Sequence, residues 1–167
     1  MAAGNTYDQL FTTTLTTDTS SVTISSIPAT YTDLILVANA WTTSGGNAPW
    51  IRLNGDTGTN YSSTTIYGTG SVAASSRSTS AAIMYTGGYY VGIGTTISTM
   101  TIQLQNYSNS TTYKTVLSRL NSSQYETEAV VGLWRSTAAI NSITVSIASS
   151  LIYAAGSSFT LYGIVAA

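Results

Sequence analysis

Met100-Thr101-Ile102-Gln103-Leu104-Gln105 alternates apolar and polar side chains at every step. A strand points successive side chains to opposite faces, so Met100, Ile102 and Leu104 share one face and the polar set shares the other. A helix would scatter the same residues around its axis. The pattern recurs in both directions from this stretch. Val22 and Ile24 alternate with Ser21, Thr23 and Ser25. Ile143, Val145 and Ile147 alternate with Thr144, Ser146 and Ala148. Phe159, Leu161, Gly163 and Val165 alternate with Thr160, Tyr162 and Ile164. In each case one face suits a core and the other suits solvent or a partner.

Two segments are apolar on both faces: Leu34 to Ala38, and nearly all of Ala129 to Trp134. They read as central strands, or as strands whose second face meets another chain. Turn residues separate the strands. Ser25-Ser26-Ile27-Pro28, Thr43 to Asn47, Asn54-Gly55-Asp56-Thr57-Gly58, Gly87-Gly88, Asn106 to Thr112, Asn121 to Gln124 and Ala154 to Ser157 are the breaks. The spacing predicts about eight to ten strands of an all-β fold, as expected of an antiparallel β-sandwich or a barrel. Residues 68–80 carry no alternation and are expected to form a long surface loop. The expected organisation is one sandwich domain over residues 10–167, preceded by a polar N-terminal arm, 1–9.

Composition narrows function. Only 7% of residues are charged, against about 25% in an average globular protein. Five basic residues face six acidic ones, a net charge of -1. No basic field exists to draw nucleic acid or anionic lipid. The chain is 43% hydrophobic, which sets it apart from disordered sequences. Thr, Ser and Tyr supply strand faces with hydroxyls in place of charges. Weak electrostatic repulsion between copies suits a subunit held in an assembly. Met1 to Gln9 shows no basic stretch followed by an apolar run, so no secretory signal is expected there. No apolar run reaches the length of a membrane-spanning helix.

The chain has no histidine and no cysteine. That removes the commonest general base, the commonest transition-metal ligand and every thiolate site. Ser is abundant, but a nucleophilic serine needs a base, and the single lysine, Lys114, lacks a Ser-x-x-Lys context. Glu126 and Glu128 lie two apart and would share one face of a strand. A pair of sugar-cleaving carboxylates would look like this, yet a solvated strand start before Ala129 is the simpler expectation. Asn54, Asp56 and Asn60 offer oxygens but lack the bidentate Glu of a calcium loop, so a tight turn accounts for them. The reading is therefore a protein that is not an enzyme and has no cofactor and no metal.

Aromatic residues are the remaining chemistry. Trp41, Trp50, Tyr89 and Tyr90 are candidates for subunit contacts or for a ligand platform on which sugar rings stack. Half-buried strand packing explains them as well. Trp134 sits beside Arg135 at a strand end, where an arginine next to an aromatic can stack on it or brace a turn.

Several stretches together resemble a known group. They are Thr6-Tyr7-Asp8 leading into Leu15, Ser26 to Leu34, Arg52-Leu53-Asn54-Gly55-Asp56-Thr57-Gly58-Thr59-Asn60-Tyr61, Gly132 to Ile140, and Ala155 to Gly163. In this order they resemble tailed-phage virion proteins of the head-decoration (cement) or fibre type, including those of phages of cyanobacteria. The resemblance implies a jelly-roll-like, oligomeric structural protein on the outer surface of the virion, made in the host cytoplasm. It implies a homotrimer and, as partner, the major capsid protein of the phage shell. It implies no catalytic residues. The absence of a shaft favours a capsid decoration subunit. The alternative is a tail or fibre-associated head that binds a host-surface carbohydrate. Thr6, Tyr7, Asp8 and Gln9, before the first clear strand, are the candidate capsid-anchoring arm.

Overall fold

A computed structural model of the chain describes residues 6–88, 92–122 and 125–165. Twelve strands and no helix occur among the described residues. They are β1 (Tyr7–Thr14), β2 (Ser21–Ile24), β3 (Asp33–Ala40), β4 (Pro49–Leu53), β5 (Tyr61–Gly68) and β6 (Ala73–Ala81). The rest are β7 (Met84–Tyr85), β8 (Ser98–Leu104), β9 (Lys114–Ser122), β10 (Glu126–Trp134), β11 (Ile143–Ile147) and β12 (Ser158–Ile164). A wide sheet has the order β1-β12-β3-β8-β9-β10-β5-β6, and a narrow one the order β2-β11-β4-β7. Every pairing is antiparallel. The fold is a β-sandwich.

The alternating sets behave as a period of two requires. Met100, Ile102 and Leu104 are buried, and so are Leu34, Leu36, Phe159 and Leu161 on the strands beside them. They meet Val22, Ile24, Ile51, Leu53, Ile143 and Val145 of the narrow sheet in one core. Each such side chain contributes about 1.5–3 kcal/mol on burial. The run Leu34 to Ala38 falls in β3, inside the wide sheet between β12 and β8. The run Ala129 to Trp134 falls in β10, between β9 and β5. Gly132 lets the narrow sheet approach β10: a Cβ there would lie 2.2 Å from Met84 Sδ of β7.

Three expectations change. First, residues 68–80 are largely strand, not loop. β6 pairs with β5 from Gly68↔Ala73 to Tyr61↔Ala81, with one bulge. Its Ser- and Ala-rich sequence lacks alternation because most of its residues are exposed on both faces. The free backbone edge of β5 is what recruits it. Together with the two-residue β7 this raises the strand count above the expected range. Second, the proposed arm does not stay free up to Gln9. Tyr7, Asp8 and Gln9 open β1 and pair with Ile164, Gly163 and Tyr162 of β12. The backbone ladder and the burial of Leu10 and Phe11 against the core draw this polar segment into the sheet. Residues 1–5 of the arm lie outside the described residues. Third, Glu126 and Glu128 are buried on the inner face of β10 and are not a solvated strand start.

Candidate functional site

The wide sheet has an inner face on the core and an outer face that none of the described residues covers. Outward positions follow from the pairing. Val131 of β10 stands opposite Leu117 of β9 and Thr64 of β5, and Ala129 stands opposite Arg119 and Ile66. Ile66, Leu117 and Val131 are 61%, 41% and 58% exposed, an apolar patch across three neighbouring strands. Away from the patch the same face carries Thr99, Thr101 and Gln103 of β8, Ile35 and Val37 of β3, and Thr160 and Tyr162 of β12. Thr12 and Thr160 bond hydroxyl to hydroxyl at 3.0 Å, and Thr99 donates to Asn39 Oδ1 at 2.8 Å. Charged side chains at outward positions of this sheet are Asp33, Arg77 and Arg119. A face so broad and so poor in charge is unusual for a lone soluble domain and suits contact with another protein.

The proposed arm enters this face. Tyr7 is exposed, and its ring meets Tyr162 edge-on at 6.2 Å. Gln9 shares its side, while Asp8 turns inward towards Tyr31, whose hydroxyl pKa is raised by desolvation and by the Asp8 charge. The platform aromatics stand on separate elements. Trp41, just beyond β3, lays its ring over Gly156, where a Cβ would lie 2.8 Å from Trp41 Cη2. Trp50 lies on the outer side of β4, with the Arg52 guanidinium 5.1 Å from its ring centroid. Tyr89 and Tyr90 lie outside the described residues.

Trp134 itself holds a turn, the Asn54–Asn60 segment. Asn54 and Gly55 both take positive φ, 52° and 67°. Asp56 Oδ2 accepts from Trp134 Nε1 at 2.6 Å and from Asn60 Nδ2 at 2.9 Å, while Oδ1 accepts from the Gly58 amide at 2.8 Å. The hydrogen bond from Trp134 leads the effects that hold the Asp56 carboxyl below its ordinary pKa. Trp134 stacks on Tyr61 with ring centroids 6.4 Å apart. Tyr61 in turn donates to Leu53 O and Asp56 O, both at 3.2 Å, and burial pushes its phenol up to about 12. Arg135 Nη2 reaches Ser62 Oγ at 2.6 Å. Both Asp56 oxygens and Asn54 Oδ1 already accept hydrogen bonds here, and no cluster of three metal-ligating side chains occurs among the described residues.

The two glutamates have a different task. Glu128 Oε2 accepts from the Gly88 amide, and Glu126 Oε1 accepts from the Gly92 amide at 2.6 Å. They hold the Gly88 and Gly92 amides against β10. Charged hydrogen bonds of this kind offset the cost of burying a carboxylate. Composition could not show this, because the amides belong to glycines more than thirty residues away. Lys114 is buried too, and its ammonium donates to Thr112 O at 2.9 Å and Thr137 O at 3.1 Å. Desolvation lowers its pKa.

No protein-family model matches the chain, and no curated protein matches it. Among solved structures it is similar to a variant of alginate lyase Aly36B in complex with alginate trisaccharide, with a TM-score of 0.32 and 9% identity over 86% of this chain and 80% of that one. It is also similar to SO2946, a protein of unknown function from Shewanella oneidensis MR-1, with a TM-score of 0.28 and 11% identity over 100% of this chain and 82% of that one. At such TM-scores these likenesses carry no argument about what the chain does.

Proposed function

We propose that the chain is a non-catalytic structural protein of a tailed-phage particle, a jelly-roll-like cement subunit that sits as a homotrimer on the outside of the head. Its partner in this reading is the major capsid protein. The observation that carries the proposal is the open outer face of the wide sheet, with Ile66, Leu117 and Val131 exposed together and three charges spread over eight strands. The sequence resemblance to virion decoration proteins points the same way. Bridging neighbouring shell subunits would stabilise the shell by mass action, in proportion to occupancy.

Immunogold labelling of intact particles tests the location, with label expected over the head. Label confined to the tail would sink the decoration reading. It would favour the second reading, a fibre-associated head that binds host-surface carbohydrate, for which the hydroxyl-lined cleft described next is the supporting observation. The face is tested by Val131→Lys. Its side chain is solvent-exposed, so stability should change by less than about 0.5 kcal/mol. Re-addition to heads lacking the protein should show at least about a tenfold loss of affinity if a charge is desolvated there. Undiminished binding would move the docking surface elsewhere.

A further inference from the structure

The two sheets do not end together. β7 closes one edge of the narrow sheet and packs on β5 and β10, whereas β6 lies one strand further out on the wide sheet. The overhang leaves a cleft of about 330 Å³, within the range of small-ligand pockets. One wall is the inner side of β5 and β6, where Ser63 pairs with Ser78 and Thr65 with Ser76. The other wall is Tyr85 of β7 with the Asn47, Ala48, Ala148 and Ser149 segments that border β4 and β11.

The hydroxyls of this cleft are in an unusual state. Ser63 and Thr65 are only 5% and 8% exposed. None of the hydroxyls of Ser63, Thr65, Ser76 and Ser78 has a hydrogen-bond partner among the described residues. Nor are they sealed in, since among the described residues the fully enclosed unpartnered side-chain atoms are those of Ser122 and Tyr153. Hydroxyls that reach the cleft and bond no other described residue can bond a ligand that enters it. The cleft is also held in shape beforehand. Gly88 has φ +85° and passes so near Ala48 that a Cβ would lie 2.3 Å from Ala48 Cα. Glu128 fixes its amide from behind. Rigid walls reduce the ordering cost of binding. Charge is nearly absent: Arg77 is the one charged lining residue among those described, and its register with exposed Thr64 puts it on the outer face.

We propose that this cleft binds a neutral saccharide, with a sugar ring against Tyr85 and sugar hydroxyls bonded to Ser63, Thr65, Ser76 and Ser78. The chemistry is matched on both sides. Hydroxyls serve as donor and acceptor at once, as sugar hydroxyls do. An aromatic ring with a polar tip suits a ring that is apolar on its faces and polar at its rim. Arg77 is the one charged group on the described lining, and a long apolar ligand would leave four hydroxyls unpaired.

The probe is an array of neutral oligosaccharides of glucose, galactose, mannose and N-acetylglucosamine, followed by calorimetric titration of the best binder with the full chain. Binding should be saturable, with a Kd of about 10 μM to 1 mM. Tyr85→Ala should weaken it at least about tenfold. The pair Ser76→Ala and Ser78→Ala, on an exposed edge strand, should weaken it several-fold and leave the thermal midpoint unchanged. Trp41→Ala should leave binding unchanged. No binding across the array at about 5 mM would overturn the proposal, and so would binding that ignores both the Tyr85 and the Ser76/Ser78 changes. The array needs no phage particle, so this result stands apart from where the subunit sits on a virion.

Discussion

Two polar regions of the same sandwich handle their hydrogen bonds in opposite ways. At the Asp56 corner both carboxylate oxygens, the Trp134 indole and the Asn60 amide are matched at 2.6–2.9 Å. In the β5–β6 cleft, four hydroxyls line facing positions of two paired strands and none is matched within the described chain. The corner is self-contained, and its polar groups hold a turn against a strand end. The cleft hydroxyls stay available to solvent or to a ligand. Burial alone does not separate them, since Trp134 and Ser63 are both nearly inaccessible. The presence or absence of partners does.

The largest effect is expected at the corner. Asp56→Ala would strip the acceptor from a buried indole N–H and from two turn donors, and should destabilise the fold by about 3 kcal/mol in denaturant unfolding. Asp56→Asn keeps an acceptor and should lose less. A cost near zero for Asp56→Ala would mean that water replaces the carboxylate freely, and the contrast with the cleft would fail.

The same corner has a pH signature. The folded-state pKa of Asp56 is depressed, first by the Trp134 hydrogen bond and then by Asn60 and Gly58, against an opposing contribution from burial. A depressed carboxyl stabilises the fold above its unfolded value of 3.8. That contribution is lost as pH falls below 3.8 and through the folded value, because the unfolded chain takes up the proton first. Unfolding free energy of the wild type should therefore decline over this acid window. The Asp56→Asn chain should show a shallower decline, and parallel profiles would assign the acid sensitivity to another group.

Much of this was legible in the chain. Leu34 to Ala38 announced a central strand, and Met100 to Leu104 announced a strand with one buried face, because burial on a sheet leaves a period of two in the residues themselves. β6 was not legible. Its Ala and Ser residues form a strand only because β5 offers an edge, and an edge is a property of the assembled sheet. The Asp56–Trp134 bond joins residues 78 apart in sequence, and alternation gives faces without pairings. Glu126 and Glu128 share one face with Val130, Gly132 and Trp134, and that face is the inner one; the glycine amides that donate to them lie far away in sequence. The cleft was least legible of all, since it exists only where one sheet outruns the other.

A third case sharpens the contrast. The Tyr153 hydroxyl is enclosed in the core without a partner, with its ring edge-on to Phe159 at 5.0 Å, and burial raises its pKa. Here no ligand can enter to complete it. Tyr153→Phe removes the stranded group and keeps the ring, so stability should rise by about 1 kcal/mol. A loss of similar size would show that the hydroxyl is satisfied in solution, and the description of the site as dry would be wrong.

The smallest effect belongs to the cleft itself. Ser76 and Ser78 sit on an edge strand held by backbone pairing, and their hydroxyls support nothing else in the chain. Replacing both with Ala should therefore move the unfolding free energy by less than about 0.5 kcal/mol. Thr65→Val, which keeps the β-branched shape, should be neutral or slightly stabilising, because it exchanges an unpartnered hydroxyl for a methyl group. These near-zero values matter as much as the large one at Asp56. A stability cost above about 1 kcal/mol for either change would mean that the hydroxyls hold the two strands together through ordered water. The cleft would then be a second structural corner, and its readiness for a ligand would lose its physical basis.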